Sequence, residues 1–349
     1  MKATLRFLAA GACALASAAN AQSSASVFGL IDTGIYRKQL AGEHPVLTQA
    51  SGTMGTSYFG FRGAEDLGNG RHVSFMLAGF LTIDTGGSGR YSGDGMWSRA
   101  AWIAVDDDRL GTLRVGRQPA QAYHNLLRYS PFEGSTVLGP SALHNYIASA
   151  AQPMATSSGA TDTGWSNAVT YVSPSLANTS LSIMATPSVG SADGRRRSLW
   201  LNHQGGGPWE GGIAVEEIDG MSLNYGKAPA TRMIARSRLL NAGTSYDFGL
   251  LKLYGQYVRT VLSGPVSHLS FNSRQVGAAV PVGPHRVLLA YADTTQDDRQ
   301  ATEQRRRTLS AAYDHVLSKR TDLYVGVMQD RLTAKSDGIG WATGLRHRF

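Results

Sequence analysis

Hydrophobic and polar residues alternate along most of this chain with a period of two. Clear examples of the alternation run through residues 72–77, 179–185, 251–257 and 323–328. Period-two alternation predicts β-strands that have one apolar and one polar face. Each such segment is about ten residues long, the length that a tilted strand needs to cross a lipid bilayer. The pattern therefore predicts an all-β protein whose strands can span a membrane.

The connections between the predicted strands are alternately short and long. The short ones are rich in turn-forming residues and lie near residues 66–70, 107–111, 173–175, 247–249, 281–284 and 318–321. The long ones lie near residues 37–54, 83–96, 119–165, 187–195, 218–234, 261–269, 295–305 and 332–337. Sixteen strands result, and this alternation is typical of a transmembrane antiparallel β-barrel. A soluble β-sandwich also alternates, although long loops on one side only suit it less well.

The N-terminus has the features of a secretory signal peptide. Lys2 and Arg6 supply a basic region, an apolar stretch follows, and Ala19-Asn20-Ala21 fits the small-x-small pattern of a cleavage site. The apolar stretch is too short for a membrane-spanning helix. An N-terminal core helix is the alternative interpretation. We therefore predict a signal peptide at 1–21 and one barrel at 22–349.

Composition limits the chemistry that the exported chain can perform. Cys13, the only cysteine, lies in the predicted signal peptide, so the mature chain has no disulfide, cysteine-bound metal or thiol nucleophile. The net charge is +8, and the loss of Lys2 and Arg6 leaves +6, which favours anionic partners. No metal-ligand spacing or nucleic-acid-binding motif occurs in the sequence. We predict no cofactor, no metal and no nucleic-acid partner.

Besides a channel for solutes, two functions are compatible with an exported membrane barrel. Some barrels are enzymes, but the chain has no Gly-x-Ser-x-Gly motif, and Asp106, Asp107 and Asp108 lie in a predicted short turn that is a poor place for catalysis. A structural or adhesive barrel with a plugged lumen is the second alternative, because a long loop could serve as the plug. Conductance and hydrolysis measurements distinguish these from an open channel.

Five segments, in order along the mature chain, resemble the general-diffusion porins of β-proteobacteria. The similar segments are Val27–Gly34, Phe59–Gly68, Gly111–Gln118, Leu317–Tyr324 and Gly344–Phe349. The resemblance implies a homotrimer of sixteen-stranded barrels, each with its third loop folded into the lumen, through which small ions and hydrophilic solutes diffuse passively. It also implies that the barrel assembly machinery recognises the terminal strand ending at Phe349. The chain indeed ends inside a predicted strand, which a closed barrel must pair with its first strand.

The third loop, about 119–165, carries the predicted constriction. So long a segment without a strand is usually functional or disordered. Its only acids are Glu133 and Asp162, and Pro131-Phe132-Glu133-Gly134 is similar to the tip of the family's constriction loop. The resemblance places Glu133 at the narrowest point of the pore. A solvated loop glutamate is the alternative.

Arginines on the opposite wall would complete the constriction, because facing opposite charges tune ion preference in a narrow pore. Side chains alternate between the two faces of a strand, and this alternation, which we call strand parity, predicts that Arg62 and Arg114 point into the lumen. Arg117 has the parity of a lipid-facing residue unless its strand ends or bulges first, but the resemblance implies an arginine of the constriction there. Each of the three could instead be a surface or interface charge.

The chain also departs from the family pattern in ways that weaken the constriction charge. Family members often have an arginine at the position of Tyr58, another near Thr163–Ser166, and an acid at the position of Ser130. With these charges absent, we predict a weak to moderate preference for anions, with Tyr58 as a neutral residue of the constriction.

Two runs of three arginines lie where long loops meet strands. Arginine clusters bind phosphates well, and the outer leaflet is rich in phosphate, so the runs are candidates for lipopolysaccharide contact. A solvated loop edge is the alternative. The residues are Arg195, Arg196, Arg197, Arg305, Arg306 and Arg307.

Overall fold

The computed structural model describes residues 24–91, 93–147, 163–187, 193–225, 232–298 and 303–349. The predicted signal peptide, 1–21, lies outside the described residues. Within them, sixteen long strands form one closed antiparallel barrel, which confirms the predicted fold. The strands are β1 Ser24–Lys38, β3 Tyr58–Gly68, β4 Arg71–Thr82, β6 Ala100–Asp107, β7 Gly111–Pro119, β8 Gly164–Val172, β9 Thr179–Thr186, β10 Asp193–His203, β11 Trp209–Tyr225, β12 Arg232–Asp247, β13 Lys252–Ser263, β14 His268–Val282, β15 His285–Asp298, β16 Gln304–Val316, β17 Thr321–Leu332 and β18 Gly338–Arg348.

Two short strands supplement the barrel within the first two long connections. Strand β2, Val46–Ser51, pairs with the C-terminal part of β1. Strand β5, Gly87–Ser88, pairs with the last two residues of β4. Neither takes part in barrel closure. They locally satisfy backbone groups of connections that would otherwise be irregular.

The barrel closes because the first and last strands pair along most of their length. Leu30 lies opposite Arg348 and Arg37 opposite Trp341. At the end of the seam, the Phe349 amide donates to the carbonyl of Gly29 at 3.1 Å and the Gly29 amide donates to the carbonyl of Phe349 at 3.0 Å. Each of the sixteen long strands thus has a paired neighbour on both sides, as a lipid environment requires.

Strand alternation sorts side chains between lipid and lumen. On β17, Val325 and Val327 are about half exposed on the outer face, whereas Tyr324 and Met328 are buried on the inner face. Outward aliphatic residues recur on the other strands and form the apolar surface that a bilayer solvates. The buried residues therefore belong to the inside of the barrel. No helix among the described residues has the length and hydropathy to cross a membrane.

The inside is filled mainly by the third long connection, which we call loop 3. It contains two helices, α1 Gln121–Arg128 and α2 Pro140–Tyr146. Helix α1 buries Gln121, Ala122, Asn125 and Leu126, which fall on one helical face. Helix α2 begins with Pro140, whose fixed φ suits the first helical position. The part of the predicted loop at 148–162 lies outside the described residues.

Candidate functional site

Loop 3 leaves the wall at the end of β7 and follows the inner wall of the barrel. Helix α1 contacts β10, β11 and β12, and α2 contacts β14, β15 and β16. Between the helices, Phe132 and Leu138 are fully buried against Leu288, Ala312 and other residues of the inner wall. The apolar contacts hold the loop inside the barrel, so the remaining aqueous path runs past the loop.

Buried amide side chains attach α1 to the wall. The Asn125 side chain donates to Asn241 Oδ1 at 3.0 Å and accepts from Trp200 Nε1 at 3.0 Å. Asn241 in turn donates to the carbonyl of Ala122 at 2.9 Å, and the Ala122 amide donates to Glu216 at 2.8 Å. Buried polar groups need such partners, and here the partners fix the helix against β10–β12.

Helix α2 is attached by a second polar network. The Ser141 amide donates to Gln275 at 2.9 Å. Both ring nitrogens of His144 lie 2.7 Å from wall hydroxyls, those of Thr294 and Thr308. The Arg306 guanidinium donates to the carbonyl of Leu143 at 3.2 Å, which satisfies an acceptor near the helix end.

Glycines on the inner wall make room for loop 3. A Cβ on Gly243 would lie 2.3 Å from Cδ2 of Tyr129, and a Cβ on Gly326 would lie 2.6 Å from Cδ1 of Leu138. These distances are shorter than atoms can approach, so the close fit of loop and wall requires glycine at both positions.

Replacing Gly243 with alanine is therefore expected to displace the Tyr129 ring. Overpacking of this kind costs about 1–3 kcal/mol, and the shifted loop should change the single-channel conductance. Gly255→Ala is the matched control, because a Cβ there would meet only Thr244 Cγ2, at 3.7 Å. Planar-bilayer recordings of both variants test the prediction, which fails if both conduct like the unmodified protein.

Loop 3 and the part of the barrel wall that it does not cover enclose a cavity of about 600 Å³ in the lumen. Its lining contains five basic and two acidic side chains. The basic ones are Arg99, Arg128, Lys252, Arg286 and Arg348; the acidic ones are Glu133 and Glu210. When their buried ion-pair partners Asp314, Asp322 and Arg346 are counted as well, these side chains have a net charge of +2. The aqueous path is thus electropositive, which raises the local concentration of anions.

Four of these five basic side chains form ion pairs with carboxylates. Arg128 and Lys252 lie 3.1 and 3.4 Å from Glu210. Arg286 contacts Asp314, and Arg348 lies 3.0 Å from Asp322. Pairing reduces the field that these four cations project into the lumen.

Arg99 differs from them in its partner. Its guanidinium lies 3.9 Å from the ring centroid of Tyr58, a cation–π contact. Within the described residues it contacts no carboxylate, so its charge is available to a passing ion. Glu133 lines the same cavity on the loop side with a φ of 48°, an unusual conformation for a residue with a side chain. Tyr58 and Glu133 thus line the same cavity, and their part in the constriction stays a prediction.

The three arginines named from the sequence occupy different places. Arg62 has its guanidinium 5.1 Å from the Phe28 ring on the inner face, and Arg114 lies 4.2 Å from Trp102, also on the inner face. Neither is among the residues that line the 600 Å³ cavity. Their part in the constriction stays a prediction.

Arg117 sits at an irregularity of its strand. The pairing of β7 with β8 shifts register between Gly116 and Gln118. The Arg117 guanidinium donates to the carbonyl of Ser98 at 2.6 Å and to the hydroxyl of Ser166 at 2.7 Å. These bonds tie it to the strand ends, and it also is not among the cavity-lining residues.

Strand alternation divides the two arginine runs. Arg195, Arg197, Arg305 and Arg307 are exposed on the outer face. Arg306 is 3% exposed, points inward and pairs with Asp330 at 2.9 Å, so the lipid-contact prediction is corrected for this residue. Arg196 also lies on the inner face of its strand, and its guanidinium carbon is 5.9 Å from the ring centroid of the buried Trp165.

Sequence reasoning missed most of the cavity's basic residues. Lys252, Arg286 and Arg348 have the inward parity of their strands, and a systematic parity count would have found them. Arg99 lies in the connection before β6, where alternation gives no direction. Only the folded chain places it beside Tyr58.

His144 of loop 3 makes the attachment of α2 dependent on pH. Burial, and then the nearby Arg306 charge, lowers the pKa of His144 to about 3, although Asp330 and Asp293 oppose the shift. An unfolded histidine titrates near 6.5. The depressed pKa means that the neutral ring stabilises the folded loop above pH 6.5. That stability falls as the pH drops from about 6.5 towards 3.

At pH 4.5 the cost of keeping His144 neutral is about 3 kcal/mol, which corresponds to roughly 100-fold more frequent opening of α2. Hydrogen exchange of residues 140–146, corrected for intrinsic rates, is expected to show this increase between pH 6.5 and 4.5. His144→Gln can still hydrogen bond but does not titrate, so its exchange should not change. An equal pH response in the variant would assign the effect to another group.

A closed membrane barrel with a narrowed, charged, water-accessible lumen defines a diffusion channel. Residues 8–335 match the protein family described as Gram-negative porin, and the chain belongs to this family. The chain is 28% identical to outer membrane porin protein 32 of Delftia acidovorans, over 96% of this chain and 97% of that protein. The protein is thus an outer-membrane porin through which small hydrophilic solutes diffuse passively.

Solved structures show the same fold at low identity. The anion-selective porin from Comamonas acidovorans gives a TM-score of 0.75 at 22% identity, over 94% of this chain and 100% of that chain. The trimer form of in-vitro folded OmpT from Vibrio cholerae gives a TM-score of 0.69 at 11% identity, over 94% and 99%. These neighbours confirm the barrel fold.

Proposed function

We propose that the pore has a weak to moderate preference for anions. The observation that carries the proposal is Arg99, a cation on the cavity wall whose partner is the Tyr58 ring and not a carboxylate. The ion-paired groups of the cavity contain more basic than acidic side chains, so their net positive charge adds to the field of Arg99. Glu133 opposes it from the loop side and keeps the preference modest. The name of the anion-selective relative from Comamonas supports the sign of the preference.

We also propose that the protein is a homotrimer. The support is the family resemblance, together with a structural neighbour, OmpT of Vibrio cholerae, that is described in a trimer form. From the family resemblance we also propose that the barrel assembly machinery recognises the final strand, which ends at Phe349 and pairs with β1.

We further propose that the protein acts as a channel and not as a hydrolase, as the family indicates. The basic and acidic groups of the cavity are largely engaged with each other. Assay of the purified barrel against a panel of esters and peptides tests this, with turnover above that of denatured protein as the contradicting result.

Planar-bilayer recording of the refolded mature chain under a KCl gradient tests the proposed function. Conductance steps in groups of three with a chloride-favouring reversal potential are the expected result. A cation-favouring potential would contradict the anion preference. Single, ungrouped steps would contradict the trimer, and no conductance from a folded barrel would contradict the open pore.

A further inference from the structure

Aromatic side chains line the 600 Å³ cavity of the lumen beside its basic groups. The interior of a membrane barrel is usually polar, so rings that face the lumen are unusual. The cavity has six of them, and its volume falls within the range of small-molecule sites, about 300–1,000 Å³. The rings are therefore placed to contact a solute in the pore. They belong to Tyr58, Phe80, Tyr123, His124, Trp200 and Tyr254.

Tyr58, Phe80 and Arg99 lie side by side on the barrel wall. Tyr58 and Phe80 are directly opposite each other on β3 and β4. The Arg99 amide donates to the carbonyl of Ala78 at 3.2 Å, two residues before Phe80, and the guanidinium lies 3.9 Å from the ring centroid of Tyr58. In the described part of the chain this guanidinium forms no hydrogen bond to the protein. Its N–H groups are thus available to a solute.

Helix α1 supplies two further rings from loop 3. One face of the helix is buried against the wall, and Tyr123 and His124 lie between its buried residues and the cavity. The Tyr123 ring meets Tyr146 of α2 edge to face, with 4.9 Å between the centroids. The His124 side chain is exposed to the cavity, and its ring is nearly parallel to Trp200 at 6.2 Å. Loop and wall therefore both present rings to the same space.

The charge of Arg99 acts on both rings of α1, which shows that they lie near it. The surrounding protein, and then the charges of Arg99 and Arg114, lower the pKa of His124 to about 4. Burial raises the pKa of Tyr123, although the charges of Arg99 and Arg90 oppose the shift. Both side chains are consequently neutral at pH 7. They add aromatic surface around Arg99 without adding charge.

A cation surrounded by neutral rings suits a solute that has one negative charge and one aromatic ring. A planar guanidinium can bind a carboxylate through two parallel N–H groups. Aromatic pairs favour offset or edge-to-face contacts and contribute beyond the burial of their area. An organic cation could also contact the rings, but Arg99 and the net positive charge of the cavity repel it. The arrangement therefore favours aromatic acids over both cations and aliphatic acids.

We propose, on the basis of the anion preference proposed above, that the pore selects aromatic monocarboxylates of the benzoate type over aliphatic monocarboxylates of similar size. The carboxylate pairs with the guanidinium of Arg99, and the ring lies against Phe80 and His124. Anion preference alone does not imply this selectivity, because charge does not distinguish an aromatic acid from an aliphatic one. The neutral rings around Arg99 make that distinction.

Block of the chloride current through the refolded barrel in planar bilayers tests the proposal. Benzoate and cyclohexanecarboxylate serve as probes, because they have the same charge at pH 7 and nearly the same size but differ in aromaticity. Benzoate is expected to give half-block at a concentration about fivefold lower, as one favourable aromatic pair would produce. Equal half-blocking concentrations would overturn the proposal, as would the absence of block by either anion.

A double variant and a matched control locate the selectivity. Phe80→Leu with His124→Leu removes two rings, keeps Arg99 and should reduce the ratio of half-blocking concentrations to less than about twofold. Tyr58 and Tyr123 are left in place because they contact Arg99 and α2. The control is Tyr254→Leu, since this ring lines the same cavity beside Lys252, 5.6 Å away, and the ratio should stay near fivefold. A double variant with the full ratio, or a control that loses it, would overturn the proposal.

Arg99→Gln tests the other half of the site. Without the guanidinium, both probes should block at least about fivefold more weakly, and unchanged block by benzoate would overturn the proposal. The anion preference itself is measured separately, from reversal potentials under a KCl gradient. A chloride-favouring potential with equal block by the two probes overturns only the aromatic selectivity. A cation-favouring potential with the fivefold ratio intact overturns only the anion preference.

Discussion

Replacing Asp330 with leucine is expected to lower the free energy of unfolding by about 3–5 kcal/mol, because a buried guanidinium loses its charge partner. Asp330 is 1% exposed and accepts from Arg306 Nε at 2.9 Å and from Thr308 at 2.6 Å. It also accepts from the backbone amide of Ala41 in the first long connection at 3.0 Å. Arg306 holds Leu143 of α2, so one carboxylate supports two connections.

The effect should be visible in function as well as in stability. With Asp330→Leu, α2 loses a fixed contact, and the single-channel current should become noisier. Urea unfolding in lipid vesicles and bilayer recordings measure the two effects. Asp337→Leu is the matched control, because its pair with Arg331 is about half exposed on both sides and should contribute less than about 1 kcal/mol.

A double variant makes the physical cause testable. Arg306→Leu together with Asp330→Leu removes both charges, and the result should be markedly more stable than Asp330→Leu alone. If the double variant is no more stable than the single one, the loss does not come from the unpaired charge. The hydrogen bonds to Ala41 and Thr308 would then be the main contribution.

Reversing the charge of Arg99 is expected to change ion preference more than any other single substitution in the cavity. As an order of magnitude, a unit charge about 7 Å from an ion contributes about 1 kcal/mol at an effective dielectric constant near 50. Allowing for screening by salt, Arg99→Glu should lower the chloride-to-potassium permeability ratio by about five- to tenfold. The pore would then favour cations, and reversal potentials under a KCl gradient measure the change.

Arg71→Glu controls for a general effect of net charge. Arg71 is the first residue of β4, its side chain is 61% exposed, and it pairs with Asp107 near a short turn. The substitution changes the net charge equally but should leave the permeability ratio within about twofold, since surface charges farther than a Debye length are screened. A smaller effect of Arg99→Glu than of the same change at Arg62 or Arg114 would move the constriction to those residues.

Part of the site was predictable from residue patterns. Parity placed Arg62 and Arg114 on the inner face and cast doubt on Arg117, whose strand indeed shifts register at that point. The family resemblance named Glu133 for the constriction and Tyr58 as a position where relatives have an arginine, and both residues line the cavity. Arg99 could not be found in this way, because it lies in a connection where no period gives a side-chain direction.

The sequence by itself determined the barrel. Period-two alternation, about ten residues per segment, and short turns alternating with long loops leave few other folds, since backbone groups in lipid must all pair. The same alternation turns two residues of each arginine run outward and one inward. These properties are local, so they can be read residue by residue.

Only the tertiary structure decided how the pore is narrowed and charged. The path of loop 3 depends on contacts between residues more than 80 positions apart, such as Ala122 with Glu216 and Ser135 with Thr53. The charge of the lumen depends on which arginines have carboxylate partners on neighbouring strands. Among the described residues, Arg348 is paired with Asp322, whereas the Arg99 guanidinium contacts the Tyr58 ring and no carboxylate. Such partners come together only when the barrel closes, because strand pairing brings distant segments into register.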